Sequence, residues 1–311
     1  MKIVFLDANT IGSDVSIEPI SSLGEYISYE SSTYEEALER VKDCEVLIIN
    51  NIKVDKNLID NAPALRLICE AATGTNNIDV AYAVSKGIPV KNVAAYSTES
   101  VVQTTFMHIL SLVGKSTYFD DVVKSGEYSA KDCFTDVTNI FYELCGKRLG
   151  IIGMGNIGSR VAQVGTAFGM QVSYYSTSGT NHCKDYPAVS LDKLLEQSDI
   201  VSIHAPLNDK TNNLLTYSKL CMMKKSACVV NMGRGGIVNE ADLAKALDEG
   251  VIAGAATDVF VKEPIPADHP YLVMKHKEQI RLSPHIGWAS AEARVRLLEG
   301  IAKNIRDTFE L

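Results

Sequence analysis

Arg234, Glu263 and His285 stand in the last third of the chain, each in a loop-like segment just past a strand-like run. Arg234 lies in Asn231-Met232-Gly233-Arg234-Gly235-Gly236, Glu263 directly precedes Pro264, and His285 lies in Ser283-Pro284-His285-Ile286-Gly287. These residue types suit the reduction of a 2-keto acid. A planar guanidinium grips a carboxylate through two parallel hydrogen bonds. An imidazole titrates near neutrality and can protonate a ketone oxygen as it becomes an alkoxide. A carboxylate behind the ring fixes its orientation and favours its charged form. Singly, a loop His beside Pro and a Glu before Pro are ordinary surface residues. The glycines around Arg234 are more telling, because they let backbone pass close to a ligand.

Such a reduction needs a hydride source. Gly153-Met154-Gly155-Asn156-Ile157-Gly158 directly follows the apolar run Leu149-Gly150-Ile151-Ile152. It also opens a helical pattern expected to place Ile157, Val161, Val164 and Phe168 on one face. A GxGxxG between strand and helix is the fingerprint of a dinucleotide site. Its glycines serve a tight turn, close approach to the pyrophosphate and helix–strand packing. The helix N-terminus adds unpaired N–H groups and the positive end of a dipole. After the second strand the chain reads Tyr175-Ser176-Thr177-Ser178-Gly179, with no carboxylate before Asp185 and Lys184 as the nearest base. Neither repulsion nor a strong clamp for a ribose 2′-phosphate is evident, so both NAD and NADP are expected to serve.

The elements that must position these groups follow from pattern. With 311 residues, 46% hydrophobic and 22% charged, the chain suits two globular domains. Strands are expected at residues 2–6, 46–50, 67–70 and 89–92, with a helix at 33–41 capped by Ser32 or Thr33. A long helix is expected at 98–115, then an irregular polar stretch at 125–142. Alternation resumes with strands at 148–152, 171–175, 200–203, 227–231 and 252–257. Helices are expected from 156, at 191–197, at 240–249 and from 290 to about 309. Apolar strands joined by helices make an α/β chain with parallel sheets covered on both faces. Two such units imply a ligand cleft at the carboxyl ends of strands. The net charge of -8 disfavours nucleic acid and anionic membranes. No apolar run approaches the length of a bilayer span. Seven scattered cysteines without metal-ligand spacing predict free thiols, no metal and a cytoplasmic protein.

Several segments, in order, resemble the D-isomer-specific 2-hydroxyacid dehydrogenase family over nearly the whole chain. They are Ala72-Thr73-Gly74-Thr75-Asn76-Asn77-Ile78-Asp79, Tyr96-Ser97-Thr98-Glu99-Ser100-Val101 and the glycine fingerprint, then His204-Ala205-Pro206-Leu207, the Arg234 loop, Asp258-Val259-Phe260 and the His285 segment. The resemblance implies two doubly wound parallel-sheet domains, a Rossmann dinucleotide domain inserted into a flavodoxin-like substrate domain. The substrate domain would comprise residues 1–97 plus 288–311, and the dinucleotide domain residues 98–287. A homodimer formed through the nucleotide domain is implied as well. By motif, Arg234 would hold the substrate carboxylate and keto oxygen, His285 would be the acid/base, and Glu263 its partner. Backbone amides at Thr73, Gly74 and Thr75 would also hold the carboxylate. Asp258 would accept from the nicotinamide carboxamide. Asn156 and Ile157 would meet the pyrophosphate through backbone, beside Gly153, Gly155 and Gly158, with Ser176 at the ribose. Thr105, Ala205, Pro206, Thr211, Asn231 and Met232 would line the rest. Domain closure would exclude water.

Residues 95–100 and 285–288 look most like the glycerate dehydrogenase/hydroxypyruvate reductase branch, which often carries His where this chain has Thr104. No basic cluster near Thr73 suggests a second phosphate site, so hydroxypyruvate or glyoxylate is the expected substrate. One alternative is a broad D-lactate-type reductase of keto acids with apolar tails. An alternative of another class is a non-catalytic NAD-sensing binding protein, like the co-repressor relatives of the family. A pure sensor would not require Arg234, Glu263 and His285 together.

Overall fold

The central strands form where aliphatic residues run together, and the computed structural model, which describes residues 1–180 and 183–311, sorts the strands into two sheets. The chain divides into two units, Met1–Ser97 with Trp288–Leu311, and Thr98–Gly287. In the first unit, β1 (Lys2–Phe5), β2 (Glu25–Ser28), β3 (Val46–Ile49), β4 (Leu67–Glu70) and β5 (Val90–Lys91) form a sheet in the order β2-β1-β3-β4-β5. All of its pairings are parallel. Alternate side chains of the central strands feed opposite faces, so every residue of β3 and β4 is buried. One face packs Ile3, Phe5, Ile48 and Cys69 against Leu297, Leu298 and Ile301 of the final helix, Ala291–Phe309. The other face packs Val4, Leu47 and Ile49 against Ala37 and Leu58. Ala37 lies on the helix Tyr34–Arg40, whose start is fixed by a capping box. Thr33 Oγ1 accepts from Glu36 N–H at 3.2 Å, and Glu36 Oε2 accepts from Thr33 N–H at 2.8 Å.

In the second unit, β6 (Arg148–Ile152), β7 (Gln171–Tyr175), β8 (Ile200–Ile203), β9 (Cys228–Asn231), β10 (Gly254–Thr257) and β11 (Ile280–Leu282) lie in the order β11-β10-β9-β8-β6-β7. A parallel bridge of Ala188 to Tyr174 extends the outer edge of β7. Counting it as a shrunken third strand, and numbering from β6, gives the 3-2-1-4-5-6 order of dinucleotide folds with β11 added as a seventh strand beyond β10. The order of chain travel reverses between β6 and β8, and the glycine loop leaves the sheet there.

Several expectations from pattern are corrected. β2 is an edge strand of exposed and half-buried residues, and β11 has only three residues, so neither has an apolar run to announce it. β10 begins at Gly254 rather than at residue 252. The helix Asn156–Ala167 buries Gly158, Val161, Ala162 and Gly165. Ile157 and Val164 are only partly buried, and Phe168 is 41% exposed at the C-cap. Its ring stacks on Phe106 at 5.4 Å instead of entering the core. Glycines rather than large apolar residues make the inner face because the helix lies close on β6. A Cβ at Gly165 would meet Leu149 Cδ2 at 2.6 Å.

At the β1/β3 switch point the buried Asp7 carboxylate accepts from the N–H groups of Asn50, Asn51 and Ile52, at 2.6 to 3.2 Å. Neighbouring Glu70, fully buried at the end of β4, accepts from Asn77 Nδ2 at 3.1 Å, while its Oε1 has no partner. Burial, with the Asp7 charge adding to it, pushes the Glu70 carboxyl up to about 9. Between the ordinary 4.5 and about 9, the folded chain keeps a proton that the unfolded chain has released. Stability therefore falls as pH rises through that window. Glu70→Gln removes the titration and keeps an acceptor for Asn77. Thermal melting should place this variant several degrees above wild type at about pH 8, with the gap shrinking towards about pH 5. A gap independent of pH would refute the buried proton.

Candidate active site

The glycine loop is built for close approach. Gly153, at the end of β6, has φ 93°, and a Cβ there would lie 2.9 Å from Ala205 N. Gly158 packs the helix onto the loop, since a Cβ would lie 2.0 Å from Gly153 O. Gly155 has nothing within 4 Å of its Cβ direction. It is the N-cap of the helix Asn156–Ala167, and no side chain caps it. The first-turn N–H groups are thus left without a side-chain cap beside open space, which suits a pyrophosphate.

A groove of about 500 Å³ runs along this loop, lined by Gly155, Ser176, Thr177, Ser178, His204 and Pro206 among others. Ser176 Oγ accepts from Gly179 N–H at 3.1 Å and keeps its own proton to donate. Sequence reasoning found no carboxylate near this position. The fold supplies one from the loop after β8, where Asp209 and Lys210 also line the groove. His204 Nε2 lies 2.8 Å from Ser202 Oγ, and burial drives the ring down to about 3, so it is neutral. Thr211 shapes the loop, donating to Pro206 O at 2.7 Å and accepting from Asn208 N–H at 2.8 Å. Thr105 is fully buried in the helix Thr98–Gly114, its hydroxyl donating to Val101 O. Ala205 and Met232 are likewise buried.

Arg234, Glu263 and His285 follow β9, β10 and β11, three neighbouring parallel strands, so their loops emerge at one edge of the sheet. The buried Asn231 folds the first loop back on itself. Its Oδ1 accepts from Gly233 N–H at 3.1 Å and its Nδ2 donates to Arg234 O at 3.0 Å. Gly235 packs so tightly on the next loop that a Cβ would lie 2.0 Å from Phe260 C. The Arg234 side chain stays exposed. Glu263 Oε1 accepts from Phe260 N–H at 2.7 Å, and Oε2 lies 2.6 Å from His285 Nδ1. Burial works to raise the Glu263 carboxyl, but the His285 bond, the Phe260 N–H and the Arg234 charge together hold it below its usual value. An ionised Glu263 accepts from Nδ1–H, which leaves Nε2 to exchange a proton.

His285 itself sits at φ 55°, and its N–H donates to Asp258 O at 2.9 Å. The buried Asp258 carboxylate accepts from Ser283 Oγ–H at 2.5 Å, Ile286 N–H at 2.9 Å and Gly287 N–H at 2.7 Å. Sequence reasoning missed Ser283 and, behind it, His108, whose Nε2 lies 2.9 Å from Ser283 Oγ. Only an ionisable residue on a largely apolar helix face could have signalled His108.

In the other unit, Thr73, Gly74 and Thr75 follow β4. Thr73 Oγ1 donates to Val93 O at 3.1 Å, and Thr73 O accepts from Asn92 Nδ2 at 2.5 Å, which pins the loop to the end of β5.

The NAD-binding domain model of the D-isomer specific 2-hydroxyacid dehydrogenases matches residues 106–287. Over 282 residues the chain is 40% identical to a glyoxylate reductase of Aeropyrum pernix, covering 89% of this chain and 83% of that one. It is 34% identical over 317 residues to a hydroxypyruvate reductase of Blautia hydrogenotrophica, covering 99% and 96%. A solved D-lactate dehydrogenase from Aquifex aeolicus, complexed with NAD and lactic acid, superposes with a TM-score of 0.86 at 28% identity, covering 99% and 95%. Fold and site thus define a nicotinamide-dependent oxidoreductase. The chain belongs to the D-isomer specific 2-hydroxyacid dehydrogenase family. Its cofactor is NAD or NADP, and its reaction moves a hydride between that cofactor and C2 of a 2-hydroxy or 2-keto acid.

Gly158→Ala should abolish tight dinucleotide binding, because the contact at 2.0 Å is with backbone and cannot yield. Fluorescence titration with NADH measures this. A variant that bound NADH as wild type does would refute the role given to this glycine.

Proposed function

We propose that the chain reduces a small, uncharged-tail 2-keto acid, hydroxypyruvate or glyoxylate, to the D-2-hydroxy acid. The observation that carries the chemistry is the His285–Glu263 hydrogen bond at 2.6 Å in a loop cluster that also holds Arg234. The substrate class is supported by the glyoxylate and hydroxypyruvate reductases among the relatives. The reduced nicotinamide, when bound, supplies the hydride. Arg234 grips the substrate carboxylate and stabilises charge developing on the keto oxygen. His285 donates the Nε2 proton to that oxygen, and Glu263 stabilises the imidazolium and holds its tautomer. The backbone N–H groups of Thr73, Gly74 and Thr75 also hold the substrate carboxylate. Asn156 and Ile157 meet the pyrophosphate through backbone, Ser176 the ribose, and Asp258 the nicotinamide carboxamide. Residues 1–97 with 288–311 act as the substrate domain, and residues 98–287 as the dinucleotide domain.

Both NADH and NADPH serve in this reading. The Ser176, Thr177 and Ser178 hydroxyls take either a 2′-hydroxyl or a 2′-phosphate, and Asp209 and Lys210 offset each other. The protein works in a reducing cytoplasm, in keeping with the buried, unpaired thiols of Cys44, Cys69 and Cys228.

It works as a homodimer. Phe134, Val137, Ile140 and Phe141 are 88%, 78%, 62% and 58% exposed in one short stretch, a concentration of apolar surface that suits burial against a second copy.

A panel of 2-keto acids run with NADH and NADPH in parallel tests the reading. Hydroxypyruvate or glyoxylate should give the highest kcat/KM, with the two cofactors within about tenfold of each other. His285→Ala should lower kcat at least about 100-fold while NADH binding persists. Absence of turnover with every keto acid would favour a cofactor sensor instead. In light scattering after gel filtration, wild type should run at twice the chain mass. Phe134→Ser with Ile140→Ser and Phe141→Ser should run as a monomer. A monomeric wild type would refute the dimer.

A further inference from the structure

His108 sits in the middle of the helix Thr98–Gly114 and is only 4% exposed. Thr105, Ile109 and Leu112 are buried with it on the same helix face. A histidine there costs desolvation without benefit unless its ring nitrogens have partners. Its Nε2 is 2.9 Å from the Oγ of Ser283, itself buried at the end of β11. The direction of each hydrogen bond in this chain is fixed by chemistry. The Ser283 hydroxyl donates to Asp258 Oδ1 at 2.5 Å. Ser283 Oγ is then an acceptor towards His108, and Nε2 must carry the proton. Burial lowers the His108 pKa against the pull of the Asp258 charge, and Arg281 lowers it further, which favours the neutral ring. Its tautomer is thereby assigned.

The far end of the chain is the reacting edge. Asp258 Oδ1 takes Ser283 and Ile286 N–H, and Oδ2 takes Gly287 N–H, so both residues flanking His285 on its C-terminal side hang on one carboxylate. His285 is also tied to Asp258 O through its own N–H. Only the second lone pair of Oδ2 is left for a ligand donor.

We propose that His108 is a positioning residue for hydride transfer, acting through Ser283 to fix the rotation of the Asp258 carboxylate and, with it, the loop that presents His285. The proposal rests on the acid/base role given above to His285. Without the His108 donor, the Ser283 hydroxyl is free to turn away. The carboxylate then loses one of the two donors on Oδ1, and Ile286 N–H alone is left to hold that oxygen. Outer partners of this kind act by orientation, so the loss falls on turnover more than on binding.

Four variants test this. His108→Leu fills the helix face but donates nothing. His108→Gln carries an N–H at about the reach of Nε2, and His108→Asn is equally polar but falls short of Ser283. Ser283→Ala removes the relay. Steady-state kinetics should show kcat lowered about tenfold in the Leu, Asn and Ala variants, with KM for the keto acid within about twofold of wild type. His108→Gln should recover most of the rate. The His108→Leu/Ser283→Ala double variant should be no slower than either single, because one chain is cut twice. If the Leu variant does not fold, the Asn–Gln pair carries the comparison alone. Equal rates in the Asn and Gln variants, wild-type turnover in the Leu or Asn variant, or additive losses in the double variant would overturn the proposal. His285→Ala keeps the two readings apart. Retained turnover there refutes the acid/base role, whereas an inactive His285→Ala beside a fully active His108→Asn refutes only the positioning role.

Discussion

One buried carboxylate holds the loop edge of the second sheet together. Asp258 is 2% exposed, and at that burial an ionised group persists only while its oxygens are supplied with donors. The donors are Ser283, Ile286 and Gly287, all from the loop after β11, while Asp258 N–H donates back to Asn231 O at the end of β9. Three strand ends are thereby locked to one another. A shift of the His285 loop would strip a buried charge, which costs far more than any single loop contact gains.

That lock also explains how His285 tolerates its backbone. A non-glycine residue at φ 55° carries a cost of about 1–2 kcal/mol. The bond from His285 N–H to Asp258 O and the 2.6 Å contact to Glu263 oppose it from both ends of the residue. The left-handed turn aims Nδ1 at the acid and leaves Nε2 as the free nitrogen. Strain, orientation and tautomer are thus set by the same few atoms.

The two units share an architecture and use their switch points differently. In the first, the crevice between β1 and β3 is closed by the chain's own Asp7, which occupies the N–H groups of residues 50–52. In the second, the corresponding crevice between β6 and β8 is left open. Gly155 leaves its side of the crevice without a side chain, Gly153 and Gly158 let loop and helix pack closely behind it, and no side chain caps the helix start. A parallel sheet makes a polar crevice wherever its winding reverses. What occupies that crevice, a carboxylate or a ligand, is decided by a handful of side chains.

The sequence by itself determined the α/β class, most strand positions and the dinucleotide loop, because those rest on local periodicity and on glycine's lack of a Cβ. It also named Arg234, Glu263 and His285, since their residue types and flanking motifs restrict what they can do. It could not reach β2 and β11, whose edge positions and shortness leave no apolar signature, nor the burial of glycines rather than Phe168 on the helix of the fingerprint. Asp209, Lys210, Ser283 and His108 were equally invisible, and so was the protonated Glu70. Each takes its role from a neighbour distant in the chain: His108 from Ser283, 175 residues on, and Glu70 from Asp7. Hydrogen bonds and burial between remote segments exist only once the sheets have formed. For that reason the tertiary structure alone decided which polar groups became partners.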